Sequence, residues 1–144
     1  MQKGYFVSYF YKGKRLTHLN KLEVAIWKRF LDKYEDKYTN YVYDFHLPIA
    51  KKPPVDLSPT YVANMNKLSA KRIDVVMEGK FSKWLVEIRP KARQTSIGQL
   101  SLYYYLYRKY YASEKRISLM LVSDIFNPEI AMSAKQLNIS YIVV

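Results

Sequence analysis

The chain has no cysteine and only two histidines, His18 and His46, among its 144 residues. Disulfides, thiolate zinc sites and cysteine nucleophiles are therefore excluded together. A histidine-rich metal site is excluded as well, and the two histidines are read as incidental. A metal held here would be held by oxygen, which favours Mg²⁺ or Mn²⁺. Glycine is scarce, and no GxxxxGK[ST] phosphate loop occurs, so an NTP-driven motor is not expected. No apolar run approaches the roughly 20 residues that span a bilayer. The start, MQKGYFVSYFYKGKR, lacks the apolar core and small-residue cleavage site of a signal peptide. We read the chain as intracellular. No basic amphipathic helix stands out, so no membrane partner is expected.

Acid is also in short supply. Lys and Arg number 24 against 12 Asp and Glu, for a formal net charge of +12. The cations recur along the whole chain, and nucleic acid is the commonest partner for such a surface because neutralised phosphates release counterions. DNA is the expected partner and RNA is not excluded. Solubility alone is the plainer explanation of the charge. The 15 tyrosines have a similar double reading, as stacking platforms for bases or as core residues with a wet hydroxyl.

What is present is a run of periodic elements without repeat or linker, read as a single domain over 1–144. YFVSYFYKG opens as a strand or extended arm. Residues 20–38 read as an amphipathic helix, with Leu22, Ile26, Phe30, Trp27 and Tyr34 on its apolar side and Lys28, Arg29, Asp32 and Lys33 largely opposite. Asn20 and Glu23 have the form of a capping box. Residues 41–49 alternate as a strand does. The segment at about 50–69 holds Pro53, Pro54 and Pro59 with little periodicity, and reads as an irregular connector or a substrate-contacting flap. Strands follow at 72–77 and 83–89. A helix over 95–111 is apolar on nearly every side and is expected to be well buried. A strand at 117–122, a helix at 128–137 and a strand at 139–144 complete the chain. Helices between the later strands call for crossovers, hence an α/β fold with a mixed sheet flanked by helices.

The hairpin RIDVVMEGKFSKWLVEIR gathers Asp74, Glu87 and Arg89 near one end of a ribbon whose other residues are mostly apolar. Side chains alternate along a strand, so Glu87 and Arg89 share a face. A two-residue turn at Gly79–Lys80 puts Asp74 opposite Leu85, with Glu87 a diagonal neighbour roughly 7–8 Å away. A four-residue turn puts Glu87 directly opposite Asp74, and an odd-length turn separates them onto opposite faces. With either even turn, one cation can bridge both carboxylates, aided by the Ile88 carbonyl and water. Phosphodiester hydrolysis needs such a hard cation and a nearby positive group. The structural alternative is an Asp74–Arg89 or Glu87–Arg72 salt bridge.

These residues resemble the signature of the PD-(D/E)XK nuclease superfamily, which includes restriction endonucleases, Holliday-junction resolvases and RecB-like nucleases. Its signature is an acid on one strand and acid-x-lysine on the next. Asp74 matches the first acid, and Glu87-Ile88-Arg89 matches the second part with arginine for lysine. The resemblance implies a restriction-endonuclease-like core (αβββαβ plus αβ) that binds Mg²⁺ or Mn²⁺ through Asp74 and Glu87, with Glu23 as the carboxylate that many members add from the first helix. Gln99 and Tyr103 match a glutamine and tyrosine that several branches carry on the following helix. Arg89 would stabilise charge, Gln99 would position water or phosphate, and Lys91 is a weaker substitute for the missing lysine. Lys51, Lys52, Lys71, Arg72 and Arg93 are the candidate backbone contacts. The implied activity is DNA hydrolysis, suited to viral or mobile-element DNA processing or recombination, with homodimerisation where duplexes or junctions are cut. Arginine cannot act as a base and is not interchangeable with lysine, so a catalytically inactive DNA-binding or scaffold protein of the same fold is the alternative expectation. A basic protein-interaction module with salt-bridged hairpin acids is a third.

Overall fold

The structure, a computed structural model, describes residues 10–11, 14–16, 18–47 and 72–144. The irregular segment at about 50–69, with Lys51 and Lys52, and Lys71 lie outside the described residues.

A short antiparallel pair, β1 (Phe10–Tyr11) and β2 (Lys14–Arg15), precedes helix α1 (Lys21–Tyr34). The main sheet follows in the order β3 (Thr39–His46), β4 (Arg72–Glu78), β5 (Ser82–Ile88), β6 (Arg116–Ser123), β7 (Ile139–Val143). The first three strands are mutually antiparallel, and β6 and β7 add in parallel. Helix α2 (Gln94–Tyr110) makes the crossover from β5 to β6, and α3 (Pro128–Gln136) that from β6 to β7. The protein is thus α/β with a five-stranded mixed sheet flanked by helices. Among the described residues no helix is long and apolar enough to cross a membrane.

Each face of the sheet buries its own core. Val76, Leu85, Leu119 and Leu121 pack under α2 and α3 through Leu100, Tyr103, Tyr107, Ile130 and Ala134. Val75, Met77, Val86, Ile88, Met120 and Val122 pack under α1 through Val24, Ile26, Trp27, Phe30 and Leu31. The alternation of β5 is therefore hydrophobic on both sides, as a central strand requires.

Helix α1 starts where Asn20 and Glu23 form the expected capping box. The Glu23 amide donates to Asn20 Oδ1 at 2.9 Å, and the Asn20 amide to Glu23 Oε1 at 3.2 Å. It ends at Tyr34 and runs into a 3₁₀ turn, Glu35–Lys37. Its buried stripe is rotated from the expected one. Leu22 is 64% exposed, whereas Lys28, placed opposite by periodicity, is buried. Leu22 sits in the first turn of α1, and the stripe is set by the residues that pack on β5 and β6.

Helix α2 also departs from expectation. It buries one stripe, Ser96, Leu100, Tyr103, Leu106 and Tyr107, and leaves Leu102 and Tyr105 in solvent. Nothing among the described residues packs on its outer side, so apolar composition all round did not produce burial all round.

Candidate active site at the open end of the hairpin

Asp74 and Glu87 meet because of the turn length. The β4–β5 register pairs Glu78 with Lys83 and Val75 with Val86, leaving residues 79–82 as a four-residue turn closed by the Gly79 amide donating to the Ser82 carbonyl at 2.8 Å. One step beyond Val75–Val86, Asp74 faces Glu87 directly. Of the two even registers, the structure takes the one that opposes the acids. Both side chains share the α2 side of the sheet with Val76 and Leu85.

The ladder ends at this step. The Ile88 amide donates to Asp74 Oδ2 at 2.9 Å, so a carboxylate replaces a backbone acceptor where β4 and β5 part. That bond favours the ionised acid, but burial and the adjacent Glu87 outweigh it and raise the Asp74 carboxyl well above the usual range.

Glu87 is 1% exposed. Burial is the largest influence on its carboxyl, and the pKa is pushed up to about 7 against the pull of Arg89. Arg89 Nη2 lies 2.8 Å from Glu87 Oε1 and the Tyr103 hydroxyl also faces the group. The ion pair with Arg89 and the Tyr103 hydroxyl partly compensate this buried carboxylate, although neither meets it as a well-directed hydrogen bond. Burial and the two acids likewise raise the Tyr103 hydroxyl above its usual pKa.

Arg89 links both layers. It leaves the end of β5 with its side chain 40% exposed. Its Nη2 donates to Gln99 Oε1 at 3.2 Å on α2, and Nη1 lies 3.9 Å from Glu23 Oε2 on α1. Burial works against its charge, but Glu87, Asp74 and Glu23 prevail and hold it more firmly protonated than usual. Asp74, Glu87, Arg89, Gln99, Tyr103 and Glu23 thus converge on one spot. Glu23 is buried and serves both as cap and as third acid.

The other candidates stand apart. Lys91 is exposed, and its backbone bridges to Ile125. Arg93 is exposed at the N-cap of α2. Arg72 is exposed and lies 3.7 Å from Asp44 Oδ2, so the envisaged Glu87–Arg72 bridge is replaced by Glu87–Arg89.

Two neighbours were missed. His18 Nε2 contacts the Asp74 carbonyl at 3.0 Å, and burial lowers its pKa despite the pull of Asp44 and Glu23. Asp44 lies opposite Asp74, between the Tyr43–Val75 and Phe45–Ile73 pairs. It has a left-handed φ of 51°, and its Oδ1 is buried without a hydrogen bond. Nothing local in the sequence marks either residue. Each is placed by pairing or packing with β4, far along the chain.

The donor set of Asp74 and Glu87 fits a hard cation in type, being all oxygen. Among the described residues, however, no three His, Asp or Glu side chains are arranged as a ready-made ligand set. Asp74 and Glu87 form the nucleus, and water or substrate oxygens would have to complete the coordination. Comparisons with protein-family models, curated proteins and solved structures find no match for this chain.

Proposed function

We propose that this chain is a metal-dependent nuclease that hydrolyses DNA phosphodiester bonds on a restriction-endonuclease-like core of the PD-(D/E)XK type. The observation that carries the reading is the direct opposition of Asp74 and Glu87 on buried strands, with the Arg89 guanidinium against Glu87. Folding two acids together in low dielectric is unfavourable unless a cation compensates them. The element order and the expected pair of Gln99 and Tyr103 beside the acids support the same reading.

Asp74 and Glu87 would hold Mg²⁺ or Mn²⁺, with Glu23 behind Arg89 adding negative potential. Such an ion, when bound, polarises a phosphate oxygen and lowers the pKa of an attacking water. The chain's own residues supply the rest. Arg89 stays protonated, so its part is to neutralise charge developing on the phosphate, never to take a proton. Gln99 holds the guanidinium in place by accepting from Nη2, between Glu87 and Glu23. Tyr103 keeps its proton and donates toward Glu87. Arg72 and Arg93, both exposed, would hold the phosphate backbone together with Lys51, Lys52 and Lys71. Pairing of two chains on a duplex or junction belongs to the same proposal.

A non-catalytic DNA-binding protein is the second reading, favoured by the 2.8 Å approach of Arg89 to Glu87. There the guanidinium stands in for the metal. Purified protein incubated with plasmid, linear and branched DNA in Mg²⁺ or Mn²⁺ separates the two. Metal-dependent cutting that disappears in Asp74→Ala and Glu87→Ala supports the enzyme. Tight binding with no cutting under any of these conditions supports the second reading.

A further inference from the structure

Tyrosines and cations not used by the carboxylate site gather at the far end of α2. Two adjoining cavities, of about 280 and 500 Å³, share Tyr104, Arg116 and Ile117. They form a groove between the C-terminal half of α2 and the start of β6. Tyr104 and Arg108 are four residues apart and so share one helix face. The Arg108 guanidinium lies 5.3 Å from the Tyr104 ring centroid and donates to its hydroxyl at 3.1 Å. On the neighbouring stripe Tyr105 is 60% exposed, with Lys109 Nζ 5.8 Å from its ring centroid. Arg116 and Lys115 come from the other wall, where Lys115 is engaged by the Gly79 carbonyl and by Glu78. Over residues 101–118 the cations are Arg108, Lys109, Lys115 and Arg116, against the single acid Glu114.

Ring faces beside guanidinium and ammonium groups suit a ligand that has both π faces and phosphates. A blunt duplex presents phosphates but keeps its base faces inside the stack. An unpaired strand presents both. We propose that this groove and the exposed helix stripe beside it bind a single-stranded segment of nucleic acid, with bases against Tyr104 in the groove and Tyr105 on the stripe, and phosphates on Arg108, Arg116 and Lys109. The proposal rests on the nuclease reading for its consequence, which is that the substrate carries an unpaired strand. Arg108 lies nine residues along α2 from Gln99, ~14 Å at 1.5 Å per residue but about two and a half turns on, so a strand running from the groove to the carboxylates would pass round the helix. The plainer account is that Arg108 and Lys109 only complement the negative end of the α2 dipole, which would affect stability and leave binding untouched.

Fluorescence anisotropy in EDTA, with labelled oligothymidylate and a blunt duplex as probes, tests the groove without cleavage. Wild-type protein is expected to prefer the single strand. Tyr105→Ala and the pair Arg108→Ala with Arg116→Ala should each weaken that binding at least about fivefold, and the arginine pair should also reduce its salt dependence. Arg108→Lys with Arg116→Lys should restore the salt dependence, while Lys33→Ala and Lys37→Ala on the α1 side should change little. Unaltered single-strand affinity in correctly folded groove variants overturns the proposal. So does a preference for blunt duplex, or a dimer that the same substitutions dissolve. Groove-dependent strand binding without metal-dependent cutting in Mn²⁺ would sink the nuclease reading alone.

Discussion

The two ends of the β4–β5 hairpin hold the same chemistry and treat it oppositely. At the turn, Glu78 accepts from Asn40 Nδ2 at 2.6 Å and lies 3.9 Å from Lys115. Those partners hold its carboxyl below the usual range. At the open end, Glu87 is buried with a second acid opposite, and its carboxyl rises to about 7. The strands between are apolar on both sides. Position along one ribbon therefore decides whether an acid is a satisfied surface group or a strained one. Strain of this kind is found at functional sites more often than elsewhere, which is why the open end carries the proposal.

The comparison breaks most visibly in activity. Asp74→Ala and Glu87→Ala should each reduce metal-dependent DNA cleavage by about a thousandfold or more, while Glu78→Gln should leave it near wild type. Gel assays in Mn²⁺ measure both, and cleavage that survives Glu87→Ala would discard the site.

Stability against pH should separate the same two acids. Glu87 has a native pKa above the usual 4.5, so its contribution is full below that value and is lost as pH rises through about 7. Removing the charge with Glu87→Gln should make the metal-free protein more stable at pH 8, by about 1–3 kcal/mol, and flatten the decline between pH 5 and 8 in urea titrations. Glu78 has the opposite sign, so its contribution is present above 4.5 and lost as pH falls. Glu78→Gln should therefore lower stability slightly at pH 8.

Mn²⁺ should raise the melting temperature of wild-type protein by binding the folded state. The rise should vanish in Asp74→Ala and shrink below about pH 6, where protons compete for Glu87. Arg89→Lys should keep or increase cleavage, since an ammonium can replace the guanidinium as a point charge. A loss of cleavage in that variant would mean that the fork held by Gln99 is what matters. The smallest effect is structural. Asn20→Ala should cost about 1 kcal/mol through the lost α1 cap and loosen Glu23 beside Arg89, and thermal melts would register it.

Much of this was legible because periodicity and punctuation are local. The boundaries of α2, α3 and the later strands came within a residue or two of those observed, with Pro128 and Asn127 starting α3 as expected. The acid-x-arginine pattern and the Gln99–Tyr103 spacing brought Glu87, Arg89, Gln99 and Tyr103 together as expected, because strand parity and helical repeat decide which side chains share a face. Legibility failed where a distant element decides. Leu22 and Lys28 exchange their expected environments, because the packing of α1 on the sheet and not helical periodicity alone sets its buried stripe. His18 and Asp44 join the site through β4, 56 and 30 residues away in sequence.

The sequence by itself determined the cation chemistry that is possible here. Without cysteine and with two histidines, thiolate and histidine-rich sets are ruled out, and Asp74 and Glu87 can share a face for any even turn. Tertiary structure alone decided that they oppose each other, that Glu87 is sealed from water, and that Arg89 spans from Gln99 to Glu23. The reason is that residue type and spacing are carried along the chain, whereas burial and electrostatic coupling arise only when separate elements close around the same few atoms.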